Sequence, residues 1–139
     1  MRLRDVEDVS KLTPAMQQYA NLKKNNESSL LFFRMGDFYE LFFDDAIITA
    51  KELNITLTKR GKILDESIPM CGIPFHAVNN YVPKLVKKGF EIAICEQTSS
   101  PEEMSLKGIK GPLTREVTRI ITPGTLIDEN HLESEQHNF

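Results

Sequence analysis

The stretch SLLFFRMGDFYELFF, residues 29–43, constrains the fold more than any other. Residues 29–35 form an almost unbroken apolar run, the pattern of a strand buried within a sheet. Gly36-Asp37 is turn chemistry, and residues 38–43 continue as a second strand, so the segment reads as a hairpin. In a strand, alternate side chains point to opposite faces. Phe38, Glu40 and Phe42 then share one face, and Asp37, Tyr39 and Leu41 the other. An acid beside an aromatic suits neither a core nor a plain solvent face, because an unpaired carboxylate is costly to bury and a bare phenylalanine gains nothing in water. The Phe38/Glu40 pair is therefore a candidate binding feature.

The flanking elements follow from periodicity and caps. Thr13 and Pro14 predict an N-cap and first helical position for a helix through residue 26, with Met16, Tyr19, Ala20 and Leu22 or Lys23 on its apolar stripe. DDAIITAKELN predicts a second helix, with Asp44 and Asp45 in its first turn, where carboxylates complement the dipole; Ala46, Ile47, Ala50 and Leu53 or Asn54 hold the helical spacing. ITLTKR alternates as a strand, GKILDES reads as a polar loop, and IPMCGIPFH as an ordered loop containing a short strand. A third helix is expected from Ala77, with Val78, Tyr81, Val82, Leu85 and Val86 facing inward, Pro83 as a possible kink and Gly89 as its C-terminal cap. FEIAICEQ is a strand, residues 98–112 a long loop, and TREVTRIITP a further strand. The expected class is α+β (α/β-like): a mixed sheet of about five to six strands flanked by three to four helices.

Chemistry narrows the function. At 139 residues the chain is one ordinary domain, large enough for a real core. Cys71 and Cys95 are read as free thiols, and the further tightly spaced ligands of a zinc site are missing. No apolar run reaches membrane-spanning length, and the start, MRLRDVEDVS, lacks the apolar core of a secretory signal, so a cytosolic protein is expected. The net charge of −3 is concentrated in the tail, which holds Asp128, Glu129, Glu133 and Glu135; without these, 17 basic groups face 16 acidic ones. Basic clusters at 59–62, Lys84/Lys87/Lys88 and Lys107–Arg119 could meet phosphate locally, although each also reads as a solvated face. Asp37, Glu40, Asp44 and Asp45 could suggest a magnesium-dependent nuclease, but the last two are explained by helix initiation. No phosphate-binding loop or nucleophile elbow occurs, so the chain is expected not to be an enzyme. A protein-interaction module anchored on Phe38 is a further alternative. Met35, Met70, Lys59 and Arg60 fall in expected turns and loops where they could contact a groove, as could Arg34 before the turn, and apolar wedges of this kind enter DNA minor grooves.

The blocks FFRMGDFYELFFDDA, LTKRG, IPMCGIPFHA, LVKKGFEIAICEQ, KGP and RIITPGT, in this order, resemble the N-terminal mismatch-recognition domain of the bacterial MutS family. The resemblance runs from about Pro14 to Thr125. It implies residues 1–12 as an arm, 13–125 as the recognition domain and 126–139 as an acidic linker toward a connector domain. The family's Phe-X-Glu motif falls on Phe38-Tyr39-Glu40. That implies insertion of Phe38 into the minor groove to stack on a mispaired or unpaired base, a hydrogen bond from Glu40 to that base, and an inward-pointing Tyr39. The implied partners are double-stranded DNA with a mismatch or small insertion/deletion loop, a second copy in a homodimer, and a MutL-type protein reached through other domains. ATP and magnesium would belong to the family's separate ATPase domain, with no cofactor in this segment. The implied location is cytoplasmic, at the bacterial nucleoid. A carboxylate among phosphates repels ordinary duplex. It accepts from a thymine N3–H as the anion, but must be protonated to meet a purine N7, so the Glu40 pKa is expected to rise when DNA is bound.

Overall fold

The computed structural model describes residues 12–63, 66–108 and 110–124, and only the backbone of residues 60–63 and 66. The expected arm (1–12, apart from Leu12), Thr125 and the linker (126–139) lie outside the described residues, as does the side chain of Arg60. The element order is α1 (Pro14–Lys24), β1 (Ser29–Met35), β2 (Phe38–Phe42), α2 (Phe43–Leu53), β3 (Thr58–Ile63), β4 (Glu66–Pro74), a 3-10 turn (Phe75–Ala77), α3 (Val78–Lys87), β5 (Glu91–Gln97), α4 (Pro101–Leu106) and β6 (Arg115–Ile121). Among the described residues, six strands form one sheet in the order β3-β4-β2-β1-β5-β6. β1 and β5 run parallel, and the remaining neighbours are antiparallel. This is the mixed α+β sheet expected.

The apolar run of β1 is explained by cover on both faces. Leu30 and Phe32 join a core with Tyr39, Leu41, Ala46, Ala50, Val82 and Leu85, beneath α2 and α3. Leu31 and Phe33 join a second core with Met16, Tyr19, Phe42 and Phe43, beneath α1. A strand between two helical layers has no polar face to offer. Thr13 Oγ1 accepts the Met16 N–H at 3.3 Å and caps α1 as expected.

β2 passes into α2 without a linking residue, and Phe43 takes a left-handed φ of 56° to make the corner. Its ring is buried and stacks on Tyr19 at 6.3 Å. Such a backbone conformation is uncommon outside glycine, and the surrounding aromatic packing holds it. Asn54, which tolerates the same region, closes α2 with φ 55°.

Several expectations need correction. The third strand begins at Thr58 rather than Ile55 and continues to Ile63, through part of the expected polar loop. Of residues 68–76, expected as an ordered loop containing a short strand, 68–74 instead form one nine-residue strand, β4, together with residues 66–67 of the expected polar loop. Pairing with both β2 and β3 outweighs the two prolines. Pro69 lies opposite Lys59 where the β3–β4 register shifts, and Pro74 ends the strand. Met70 is accordingly a strand residue paired with Phe42, and Lys59 lies in β3, so neither sits in a turn or loop. Ile47 is exposed, and Thr49 takes a buried place on α2 instead. The expected loop 98–112 contains α4, capped by Ser100 Oγ accepting the Glu103 N–H at 3.1 Å. α3 runs through Pro83 with Val82, Leu85 and Val86 buried, and Gly89 follows it with φ 96°. Among the described residues, no helix is long and apolar enough to cross a membrane.

Candidate nucleic-acid interface

The two-residue turn Gly36-Asp37 sets the geometry of the site. Gly36 adopts φ 60°, a conformation glycine takes without steric cost. The ladder places Phe38 between Met35 of β1 and Pro74 of β4, and Glu40 between Phe33 and Gly72. Along this face of β2, cover decreases toward the turn. Phe42 is fully buried, with Tyr19 of α1 packed edge-on against it at 4.9 Å. Glu40 is half-buried, and Phe38 is 46% exposed. The opposite face stays covered: Tyr39 and Leu41 are both in the core, with Tyr39 3% exposed. The acid and the aromatic therefore stand where the sheet emerges from beneath α1.

Gly72 contributes by having no side chain. A Cβ built there would meet Phe38 Cδ1 at 3.7 Å, so the ring lies close over the glycine. By strand alternation, Met35 and Met70 belong to the Phe38 face; both are half-buried against the second core. Arg115 of β6 also reaches this side. Its guanidinium lies 4.6 Å from the Phe33 ring centroid, donates to the Arg34 carbonyl (2.7 Å) and to Gln18 Oε1 (2.6 Å), and approaches Met35 Sδ at 3.3 Å. The sequence shows Arg115 only as one cation in a basic cluster; its role as a brace comes from the β5–β6 pairing.

Arg34 lies on the other side of the sheet, paired in register with Tyr39. Its Nη1 donates to Glu96 Oε2 at 3.1 Å, and its Nε to the Gly36 carbonyl at 2.6 Å. Its guanidinium carbon lies 3.8 Å from the Phe75 ring centroid. Tyr39 donates its hydroxyl to Glu96 Oε1. Burial, then the bond to Glu96, pushes the Tyr39 phenol up to about 12. The structure thus brings Phe38, Glu40, Met35 and Met70 to one face and sets Arg34 behind it. Lys59 is exposed on the edge strand β3, with β4 between it and β2.

The carboxylates do not gather around a common point. Asp45 is buried beneath α1, where it pairs with Lys23 at 2.9 Å and accepts the Leu31 N–H at 3.0 Å. Among the described residues, no three His, Cys, Asp or Glu side chains are grouped as metal ligands. An exposed aromatic beside a half-buried acid, on a rigid strand at an open sheet end, can stack on a flat group and hydrogen-bond its edge.

Comparison with known proteins gives a consistent result. Residues 13–130 match the family model described as MutS domain I. The chain is 52% identical over 129 residues to the DNA mismatch repair protein MutS of Bartonella quintana, covering 93% of this chain and 14% of that protein. It is 52% identical over 128 residues to the protein of the same name from Ruegeria pomeroyi (92% and 15% covered), and 51% identical over 128 residues to that of Dinoroseobacter shibae (92% and 15%). The chain thus spans only 14–15% of the length of these curated relatives. On the family match and these identities, the chain belongs to the MutS domain I family.

Proposed function

We propose that this chain recognises mismatched or unpaired bases in double-stranded DNA during mismatch repair, with Phe38 as a minor-groove wedge and Glu40 as the group that hydrogen-bonds the displaced base. The observation that carries this reading is the contrast among the phenylalanines of the β1–β2 hairpin and the corner after it. Phe32, Phe33, Phe42 and Phe43 are each at most 2% exposed, whereas Phe38 is 46% exposed beside Glu40 at the open end of the sheet. Phe75 is as exposed, at 47%, but it follows β4 and its ring packs against Arg34 and Tyr39 on the other side of the sheet. A wedge has to unstack a base step, at a cost of a few kcal/mol. A mispaired step is already weakened and opens more cheaply. Phenylalanine stacks on any base, so it tolerates many mismatches. The Glu40 carboxylate repels the phosphates of matched duplex and thereby sharpens the difference.

On this reading residues 13–125 are the recognition unit, between the arm 1–12 and the linker 126–139. The whole protein carrying it would be a dimeric ATPase acting on nucleoid DNA in the cytoplasm. Its ATP, magnesium, second subunit and MutL-type partner would be engaged largely by other domains. Met35 and Met70 share the face of Phe38, and on this reading they, with Lys59 and Arg60, are further candidate contacts to the groove or its backbone.

The test is Phe38→Ala in a full-length protein carrying this domain, with binding to a G·T heteroduplex compared with matched DNA. Base–aromatic stacking is worth about 1–3 kcal/mol, so the preference should fall by roughly 5-fold to 150-fold. A mismatch preference that survives without Phe38 would sink the reading. Glu40→Gln separates the two protonation states: markedly weaker mismatch binding by this variant would rule out a protonated Glu40 as donor to a purine N7.

A further inference from the structure

A wedge transmits force only if the backbone behind it holds. Phe38 follows directly on a two-residue turn, and loop tips are ordinarily the first places to open. Here the tip is tied down by the Arg34 side chain, from the face opposite Phe38, and by the backbone at the end of β4 beside it. The Arg34 Nε donates to the Gly36 carbonyl at 2.6 Å, and the Phe75 N–H donates to the Asp37 carbonyl at 2.7 Å, so both turn residues are held by their carbonyls. Arg34 is itself fixed between the Phe75 ring, 3.8 Å away, and the Glu96 carboxylate, 3.1 Å away. Glu96 also accepts the hydroxyl of Tyr39, the residue immediately after Phe38. The side chains of Arg34 and Glu96 are only 18% and 29% exposed, which protects this charge-assisted pair from water.

We propose that Arg34, Tyr39, Phe75 and Glu96 form a clamp behind the turn that sets the position of Phe38, and that they are positioning residues for mismatch recognition. The inference rests on the wedge reading of Phe38. Its physical basis is preorganisation: a tip already fixed in the free protein spends none of the binding energy on its own ordering. The clamp also gives Arg34 a different part from the phosphate contact its position beside the turn suggests. A phosphate contact would strengthen matched and mismatched DNA alike. A clamp behind the wedge strengthens only the complex in which the wedge is inserted.

That difference supplies the experiment. In a full-length protein carrying this domain, Glu96→Gln and Tyr39→Phe are made alone and in combination with Phe38→Ala. Affinities for a G·T heteroduplex and for matched DNA are measured at one salt concentration, and thermal melting verifies the fold. Glu96→Gln is expected to lower the mismatch preference by about tenfold, and Tyr39→Phe by about threefold, as befits a bond to a charged group. Matched binding should change by less than about twofold. In the Phe38→Ala background neither variant should lower the preference further, because nothing is left to position. An unchanged preference in the folded variants would overturn the clamp. So would an equal loss on both DNAs, which would make Arg34 a backbone contact, or an undiminished loss without Phe38. Tyr39→Phe, which removes a single oxygen, carries the test should Glu96→Gln unfold. If Phe38→Ala itself leaves the preference intact, the wedge reading falls; if Phe38→Ala removes it and the clamp variants do not, only the clamp falls.

Discussion

Replacing Lys23 by methionine keeps most of the side-chain volume and removes one charge from the buried junction of α1, β1 and α2. Asp45 is 5% exposed there. Its carboxylate accepts from Lys23 Nζ at 2.9 Å, the Leu31 N–H at 3.0 Å and the Tyr19 hydroxyl at 3.5 Å. Breaking a buried pair by deleting one partner costs about 3–5 kcal/mol. Two features hold this site to the low end. The Lys23 side chain is 16% exposed, so water already shares in its solvation, and two donors to Asp45 remain. The expected loss is about 3 kcal/mol near neutral pH, or roughly 10–20 °C in the melting midpoint.

The pH dependence identifies the cause. Burial pushes the Asp45 carboxyl up, and Lys23, the Leu31 N–H and the Tyr19 hydroxyl pull it part of the way back. Without Lys23 it rises further. A carboxyl whose folded-state pKa lies above its unfolded value contributes most when protonated: that contribution is complete below the unfolded pKa and is lost as pH rises through the folded one. The penalty of Lys23→Met should therefore shrink toward acid, to about 1 kcal/mol near pH ~4, because a neutral Asp45 no longer needs its partner. Urea unfolding of both proteins at about pH 7.5 and about pH 4 measures this directly. A penalty that is the same at both pH values, or below about 1 kcal/mol at neutral pH, would refute a buried charge pair and leave only a surface contact.

Two further outcomes are expected. Burial, then the nearby Asp45, pushes the Cys71 thiol up to about 12, and burial does the same to Cys95. Both should resist a disulfide reagent near pH ~8 in the native chain and react once it is unfolded in urea; native labelling at the unfolded rate would show that they are accessible. With folded pKa values above the unfolded ones, their contribution to stability should be intact below about pH 9 and decline above it. At Gly72, the Cβ of Gly72→Ala would make an ordinary 3.7 Å contact with Phe38 Cδ1, so that variant should keep its mismatch preference. The larger side chain of Gly72→Val should displace the ring and lower the preference about tenfold, and a heteroduplex titration giving the reverse order would contradict a ring seated over Gly72.

Much of the frame was legible in local chemistry. Thr13-Pro14 starts α1, Gly36 turns the hairpin, and the unbroken apolar run of β1 reports cover on both faces. The signal for α4 was also present: Ser100-Pro101-Glu102-Glu103 is an N-cap, a first-turn proline and a capping-box acid, but turn residues on either side obscured it. The β3–β4 hairpin was harder to read, because residues 66–74 contain two prolines and a glycine and become a strand only through the neighbours that pair with them. Asp45 shows the same limit. First-turn placement explains an acid at that position, but nothing local says that it faces inward to meet Lys23, 22 residues earlier.

The candidate site divides in the same way. Alternation along β2 alone determines that Phe38 and Glu40 share one face and Tyr39 and Leu41 the other, since the strand repeat is a property of the backbone. It does not determine that Phe38 is exposed while Phe42, on the same face, is fully buried. That depends on where α1 lies across the sheet, and a helix is placed by the sum of its packing contacts rather than by the residues it covers. Nor could local sequence assign Arg34 to the Glu96 carboxylate, 62 residues away in the chain. The pairing exists because β1 and β5 lie parallel and adjacent, an arrangement that only the assembled sheet creates.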